Sequence, residues 1–345
     1  MKILWYVSSH GWGHAARQRE LIRIYKQKHP DTIITVASDV PKWFWDNTEI
    51  NSIISGVVSP IVKEKDDDID LEATRQHFQS FIGQSSTLLK KEVSRQNTFK
   101  PDLVITDIDP LPVKAANLNH IPALGISNFT WDWILKEMFP DMLMEASAIT
   151  EMYSSGTFLK LPLSPNYSPF KTTIEAPLLR GGKIGIPAKA KGLLPSGKIC
   201  LLALRQKIKG MKLRLPEGYI AVSCLPEPTH QNCFNITPSE LSENATTFSD
   251  LFAASDMLLT KPGYGIVSQI ITTGKKAILL TGRNFPEEKF LLPPLQNKEN
   301  VILLNMREHS EIQKAVIELS SVEEEIPKKK HLGHEFLTCF DKILS

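Results

Sequence analysis

Lys2-Ile3-Leu4-Trp5-Tyr6-Val7-Ser8-Ser9-His10-Gly11-Trp12-Gly13-His14-Ala15-Ala16-Arg17 runs from an apolar, β-prone stretch through a glycine turn into a segment that continues with Leu21, Ile22 and Tyr25 at helical spacing. A strand that ends in a tight turn and feeds a helix is the opening half of a βαβ unit. In an open parallel sheet such a turn lies at the carboxyl edge, where ligands bind, and the helix start supplies unpaired N–H groups. G-x-G-x-x-G is absent after Gly13, so the stretch is no dinucleotide fingerprint. The glycines between His10 and His14 make a turn rather than one helical face, so the two histidines do not read as a metal pair.

The same alternation continues outward. Residues 32–37, 52–58, 103–107 and 123–127 read as further strands, and a long polar helix is expected from Leu71 to about Asn97. Runs that are apolar throughout, such as Leu103-Val104-Ile105, suit strands covered on both faces. Three prolines between Leu161 and Pro169 forbid continuous helix and mark a linker or crossover. Beyond it, residues 199–204, 219–224, 257–260, 277–280 and 301–304 read as a second set of strands. Leu332, Phe336, Leu337, Phe340, Ile343 and Leu344 fall at helical spacing and predict an amphipathic closing helix. The fold expected is α/β, with two Rossmann-like domains facing across a cleft: residues 1–175, residues 176–325, and a helix over 326–345 packing back on the first.

Composition agrees and removes other classes. A chain of 345 residues is long enough for about two domains of roughly 150 residues each. Hydrophobic residues at 42% and charged ones at 23% are ordinary globular values. Lys+Arg 40 against Asp+Glu 38 leaves a net charge of +2, which argues against a nucleic-acid wrapper. Apolar runs such as Ile199 to Leu204 fall short of the roughly 18 residues of a membrane span, and the N-terminal run is too short for a signal peptide. A cytoplasmic protein is expected, with peripheral contact to a membrane left open. Cys200, Cys224, Cys233 and Cys339 contain no C-x-x-C and read as reduced thiols.

Two clusters besides the first carry chemistry-bearing residues. Leu103-Val104-Ile105-Thr106-Asp107-Ile108-Asp109-Pro110 is a buried-type strand ending in acids. Asp107, at the edge of a parallel strand, would receive a ring N–H from His14 and hold the imidazole as a base, the orienting role of the acid in hydrolase triads. The alternative for Asp107 and for Asp109 is capping of the next helix. Met257-Leu258-Leu259-Thr260-Lys261-Pro262-Gly263-Tyr264-Gly265-Ile266-Val267-Ser268-Gln269 again runs from strand to glycine turn to helix. There Gly263 and Gly265 let the backbone approach a ligand, and the helix start favours a diphosphate.

Taken in order, these clusters resemble the GT-B glycosyltransferases. Ser9 to Arg17 looks like the N-terminal G-H-G-x-G-H-x-x-R of their MurG-like and family-1 relatives. Asn128-Phe129-Thr130-Trp131-Asp132-Trp133, together with Lys261 to Ser268, is similar to the glycosyltransferase-like segment that precedes the kinase in plant arabinokinases. The resemblance implies an inverting, metal-independent transfer of a hexosyl or related group from a nucleotide-diphosphate sugar, UDP-linked in the first instance, to an acceptor hydroxyl. It implies no cofactor. His14 falls at the family's general base and Asp107 at the acid that orients it. Substrate contacts fall to His10, Gly11, Gly13, Arg17, Asp109, Asn128 and Trp131 in the first domain, and to Arg205, Gly263, Tyr264, Gly265, Ser268, Gln269, Glu287 and Glu288 in the second. Two positions depart from the pattern. Gln269 stands where a glutamate usually reads the ribose, and Arg205-Gln206-Lys207 follows the strand ending at Leu204 where a Gly-rich loop is usual. These departures leave room for a non-catalytic sugar-nucleotide-binding module, and the architecture is shared with sugar-nucleotide epimerases.

Overall fold

The computed structural model describes residues 1–8, 12–46, 48–65, 68–179, 185–204, 213–225, 233–306, 308–322, 336 and 338–340. The chain divides into two compact units, one of residues 1–65, 69–181 and 331–345, the other of residues 66–68 and 182–330.

The first unit is built on a seven-stranded parallel sheet. Its strands are β1 (Lys2–Tyr6), β2 (Ile33–Ala37), β3 (Ser52–Ile54), β4 (Leu103–Thr106), β5 (Ala123–Ser127), β6 (Thr157–Lys160) and β7 (Thr172–Glu175), in the order β3-β2-β1-β4-β5-β6-β7. Ile3, Leu4, Trp5 and Tyr6 of β1 are all fully buried, which fits a central strand with helices on both faces. The connection between β1 and β2 is α1 (Trp12–Lys28), and α2 (Leu71–Phe99) precedes β4. α2 starts where the Asp70 carboxylate accepts the Ala73 N–H at 2.9 Å, and it ends at Lys100 in a left-handed conformation, φ 52°.

The proline-rich segment 161–169 is the crossover from β6 to β7, so both strands belong to the first sheet and the units divide at 181–182. β6 and β7 escape the sequence reading because Thr157, Lys160, Thr172, Thr173 and Glu175 break any apolar run. Tertiary packing decides them instead. Phe170 stacks on Phe158 of β6 at 4.8 Å with rings 6° from parallel, and a Cβ at Gly125 would lie 2.5 Å from the Phe170 ring. From the 331–345 segment, Phe336 and Phe340 are each 1% exposed, and the Phe340 ring lies 6.3 Å from Trp5 and 5.3 Å from Tyr25.

The second unit holds a six-stranded parallel sheet of β8 (Lys198–Ala203), β9 (Tyr219–Ser223), β10 (Cys233–Asn235), β11 (Met257–Thr260), β12 (Lys276–Thr281) and β13 (Val301–Asn305), in the order β10-β9-β8-β11-β12-β13. Leu202, Leu259, Ile278 and Leu280 form its core with Ile312, Val316 and Leu319 of the helix Ile312–Ser320. Each such side chain contributes about 1.5–3 kcal/mol by burial. In both sheets the order reverses beside the first strand, between β1 and β4 and between β8 and β11. Those are the switch points at which an open α/β sheet offers a crevice beyond its carboxyl ends. No helix of the described residues is long and apolar enough to cross a membrane.

Candidate functional site

At the first switch point the register sets two chain ends side by side. Tyr6 of β1 pairs with Thr106 of β4, and the Asp107 N–H donates to the Tyr6 carbonyl at 2.9 Å, one residue past the strand. α1 begins at Trp12 just beyond β1, so His14, Arg17 and Gln18, at i, i+3 and i+4, share the helix face turned to that edge.

All three converge on Asp107. His14 Nδ1 lies 2.8 Å from Oδ2, Arg17 Nη2 is 2.5 Å from Oδ1, and Gln18 Nε2 donates to Oδ1 at 3.1 Å. Asp107 is fully buried. Burial alone would push its carboxyl up, but the charges and hydrogen bonds of His14 and Arg17 outweigh it and hold the group at about 2. Two contacts compete for His14 Nδ1: an ionised Asp107 only accepts, so the 2.8 Å contact with Oδ2 calls for a proton on Nδ1, whereas Arg17 Nη2 at 3.1 Å only donates and would call for a lone pair there. The shorter, charge-assisted contact with Asp107 favours Nδ1–H, the tautomer that leaves the Nε2 lone pair to act as base. Of the three side chains the imidazole is the one that reaches solvent, at 14% exposure against 0% for Asp107 and 2% for Arg17. Phe129 meets the imidazole edge-on, 5.8 Å between centroids.

The strand end that aims Asp107 is unusual. Ile108 has φ 63°, a left-handed conformation that is an outlier for a β-branched residue and costs on the order of 1–3 kcal/mol. The turn sends Asp109 the other way. Its backbone N–H donates to Thr106 Oγ1 at 2.9 Å, and its carboxyl accepts from Ser59 Oγ. Burial, opposed by the Ser59 bond and assisted by the charges of Asp107, Glu92 and Asp39, raises the Asp109 carboxyl to about 8. It is therefore a neutral acid at pH 7. Asp109 stands at the N-cap of α3 (Pro110–Leu118), but its side chain makes no capping bond.

Arg17 is spent internally on Asp107, on Asn128 Oδ1 at 3.0 Å and on Ser127 Oγ at 3.1 Å. Asn128 is 1% exposed. Trp131 is fully buried, with Phe78 and Phe129 at 6.2 and 5.5 Å, so it braces the wall behind Phe129 rather than presenting a ring to a ligand. Gly13 is exposed, with nothing within 4 Å of where a Cβ would stand. Sequence reading missed Gln18, Ile108 and Ser59. Gln18 carried a usable signal in its i+4 spacing from His14, whereas nothing local marks the other two.

The second switch point carries α6 (Tyr264–Thr273), whose N-cap is Gly263, φ −148°. That backbone suits any residue, and a Cβ there would meet nothing within 4 Å, so the space before the helix start is open. Ser268, fully buried, donates to the Gly265 carbonyl at 2.9 Å and is thus occupied within its own helix. Gln269 is 4% exposed, and its Oε1 is a buried acceptor with no hydrogen-bond partner among the described residues. Glu287 is buried at the cap of the short helix Glu288–Leu291. Glu288 is raised by burial, opposed by the Gly282 N–H, which lies 3.4 Å from Oε2. His10, Gly11 and Arg205 lie outside the described residues. Among the described residues no group of three or more His, Cys, Asp or Glu could hold a metal ion.

Comparison with known proteins gives this arrangement relatives. The family model of glycosyl transferase family 1 matches residues 1–179. L-arabinokinase of Arabidopsis thaliana is 27% identical over 313 residues, which is 83% of this chain and 29% of that protein, so the chain spans under a third of its relative's length. Among solved structures, UGT89C1 of Arabidopsis thaliana complexed with UDP-L-rhamnose superposes with a TM-score of 0.56 at 13% identity, covering 99% of this chain and 98% of that one. The UDP-GlcNAc 2-epimerase from Neisseria meningitidis bound to UDP-GlcNAc gives a TM-score of 0.55 at 14% identity, covering 100% of both chains. The architecture is that of the GT-B glycosyltransferases.

Proposed function

We propose that this chain, which belongs to glycosyl transferase family 1, moves a sugar from a nucleotide-diphosphate donor to an acceptor hydroxyl with inversion and without a metal. The observation that carries the reading is the buried Asp107 carboxylate 2.8 Å from His14 Nδ1, which favours the Nδ1–H imidazole with its Nε2 lone pair free for a proton. His14 Nε2 takes the acceptor proton as the acceptor oxygen attacks the anomeric carbon from the side opposite the leaving group. The new C–O bond forms as the bond to the diphosphate breaks, and the pair of electrons leaves with the diphosphate. General-base catalysis of this kind contributes roughly 10²- to 10⁴-fold. Arg17, Gln18 and Asn128 hold the dyad in place rather than touch substrate.

The donor is assigned to the second unit. The start of α6, with its positive dipole end and the open space at Gly263, favours a diphosphate, and the unsatisfied Gln269 Oε1 accepts from a ribose hydroxyl. A UDP-sugar is the donor tested first, since UGT89C1 and the Neisseria enzyme were solved with UDP-linked sugars.

Titration calorimetry with UDP-, GDP-, ADP- and dTDP-sugars, followed by transfer assays on His14→Ala, tests the proposal. Expected is binding of one donor at the same affinity in parent and variant, with turnover lower by roughly 10²-fold or more in the variant. Absence of binding to all four overturns the donor site, and equal loss of binding and turnover makes His14 structural. The likeness to the epimerase gives a second reading, a sugar-nucleotide epimerase, which release of an epimerised sugar would establish instead.

A further inference from the structure

Between Thr106 and Pro110 the chain must end β4, turn Asp107 toward His14 and start α3. It does so through Ile108 at φ 63°, the β-branched member of the described non-glycine residues with positive φ. Such a conformation persists only where its surroundings over-determine it. One restraint is local, the pair of bonds that Thr106 Oγ1 makes with the backbone of Asp109, accepting its N–H at 2.9 Å and donating to its carbonyl at 3.1 Å. The other comes from far along the chain. Tyr153, the last residue of α5 (Leu143–Tyr153), donates its hydroxyl to the Ile108 carbonyl. The Tyr153 ring is fully buried and lies 4.9 Å from Phe170, so the phenol has one placement. The Trp131 backbone N–H, at the start of α4 (Trp131–Met138), reaches the same phenolic oxygen.

We propose that Tyr153 is a positioning residue for the His14–Asp107 pair: its hydroxyl clamps the Ile108 carbonyl, keeps the strained turn in place and so aims the Asp107 carboxylate at His14 Nδ1. The proposal rests on the reading of His14 as base for its catalytic consequence, but its structural core does not. Packing of the ring needs no hydroxyl, because a phenylalanine would fill the same volume. The bond to Ile108 does need one.

The test uses two substitutions and a readout independent of turnover. Tyr153→Phe keeps the ring and removes the clamp. Ile108→Gly removes the cost of the left-handed conformation, since glycine adopts positive φ freely, so in that background the clamp is dispensable. ¹⁵N NMR of the full chain, labelled at histidine, reports the tautomer of His14. Expected are a dominant Nδ1–H form in the parent, a shift toward Nε2–H in Tyr153→Phe, and recovery of Nδ1–H in the combined Tyr153→Phe and Ile108→Gly variant. In transfer assays kcat falls by up to about 10²-fold in Tyr153→Phe with donor KM unchanged, and recovers in the combined variant. An unaltered tautomer in Tyr153→Phe overturns the proposal, as does an equal change in both backgrounds. Should Tyr153→Phe alone fail to fold, a combined variant that folds and shows Nδ1–H supports the clamp, and a combined variant that also fails to fold overturns it. A tautomer shift without any transferase activity in the parent leaves the clamp standing and fails the base reading alone.

Discussion

Arg17 Nη2 and His14 Nδ1 grip different oxygens of one Asp107 carboxylate, at 2.5 and 2.8 Å, from positions one helical turn apart. Neither cation-capable group is there by itself, because Asp107 has no solvent to stabilise its charge. Removing one partner of such a pair leaves an uncompensated charge in the interior.

Arg17→Met is therefore expected to lower unfolding free energy by about 3–5 kcal/mol. Arg17→Lys recovers little of it, since an ammonium cannot span Asp107, Ser127 and Asn128 as the guanidinium does. Urea unfolding of the three proteins at pH 7 checks this, and a loss under 1 kcal/mol in Arg17→Met would contradict it.

Acid should undo the same pair. The folded value of Asp107 is about 2, below its ordinary 3.8, so its contribution is present above pH 3.8 and is lost as pH falls toward 2. The difference corresponds to about 2 kcal/mol. Asp107→Asn should accordingly show a shallower fall in stability across that window than the parent.

Asp109 has the opposite sign. Its folded value of about 8 lies above 3.8, so its contribution is fully present below pH 3.8 and declines as pH rises to 8, by on the order of 5 kcal/mol. Asp109→Asn, which stays neutral, should gain on the parent steadily between pH 5 and 8. A constant difference between the two unfolding curves would refute the neutral acid.

Gly263→Val separates folding from binding. The position is extended and open, so stability should change by under about 1 kcal/mol. Binding of UDP should nonetheless disappear, because the added side chain occupies the space before the α6 N–H groups. Calorimetry and a thermal melt on one preparation decide it, and retained UDP affinity would place the diphosphate elsewhere.

Phe340→Ala should cost about 3–5 kcal/mol and alter Trp5 fluorescence, since Phe340 covers both Trp5 and Tyr25. Unchanged emission in the folded variant would show that the contact is dispensable.

Much of this was legible in the sequence. Apolar runs bounded by turns located β1, β2, β4 and β5 and most of the second sheet within a residue or two, because strands covered on both faces have no polar alternation to confuse the reading. β3 ended four residues early, at Ile54, and β6, β7 and β10 were missed, since short polar segments become strands only through the neighbour they pair with. At the site, His14 and Asp107 could be matched from strand ends alone. That Arg17 and Trp131 are buried was not legible, because a sequence shows residue type and spacing but not burial. Ile108 left no trace, for isoleucine gives no hint of a left-handed backbone.

The aromatic contact between positions 5 and 340 also orders events in time. During synthesis at about 5–20 residues per second, β1 precedes residue 340 by over a minute on the slower ribosomes, so the rings of Trp5 and Tyr25 wait without Phe340 while the whole second unit is made and can fold. The unit that begins the chain is thus the later of the two to be completed. A ribosome stalled before Phe336 should present a nascent chain whose first sheet remains open to proteases and chaperones.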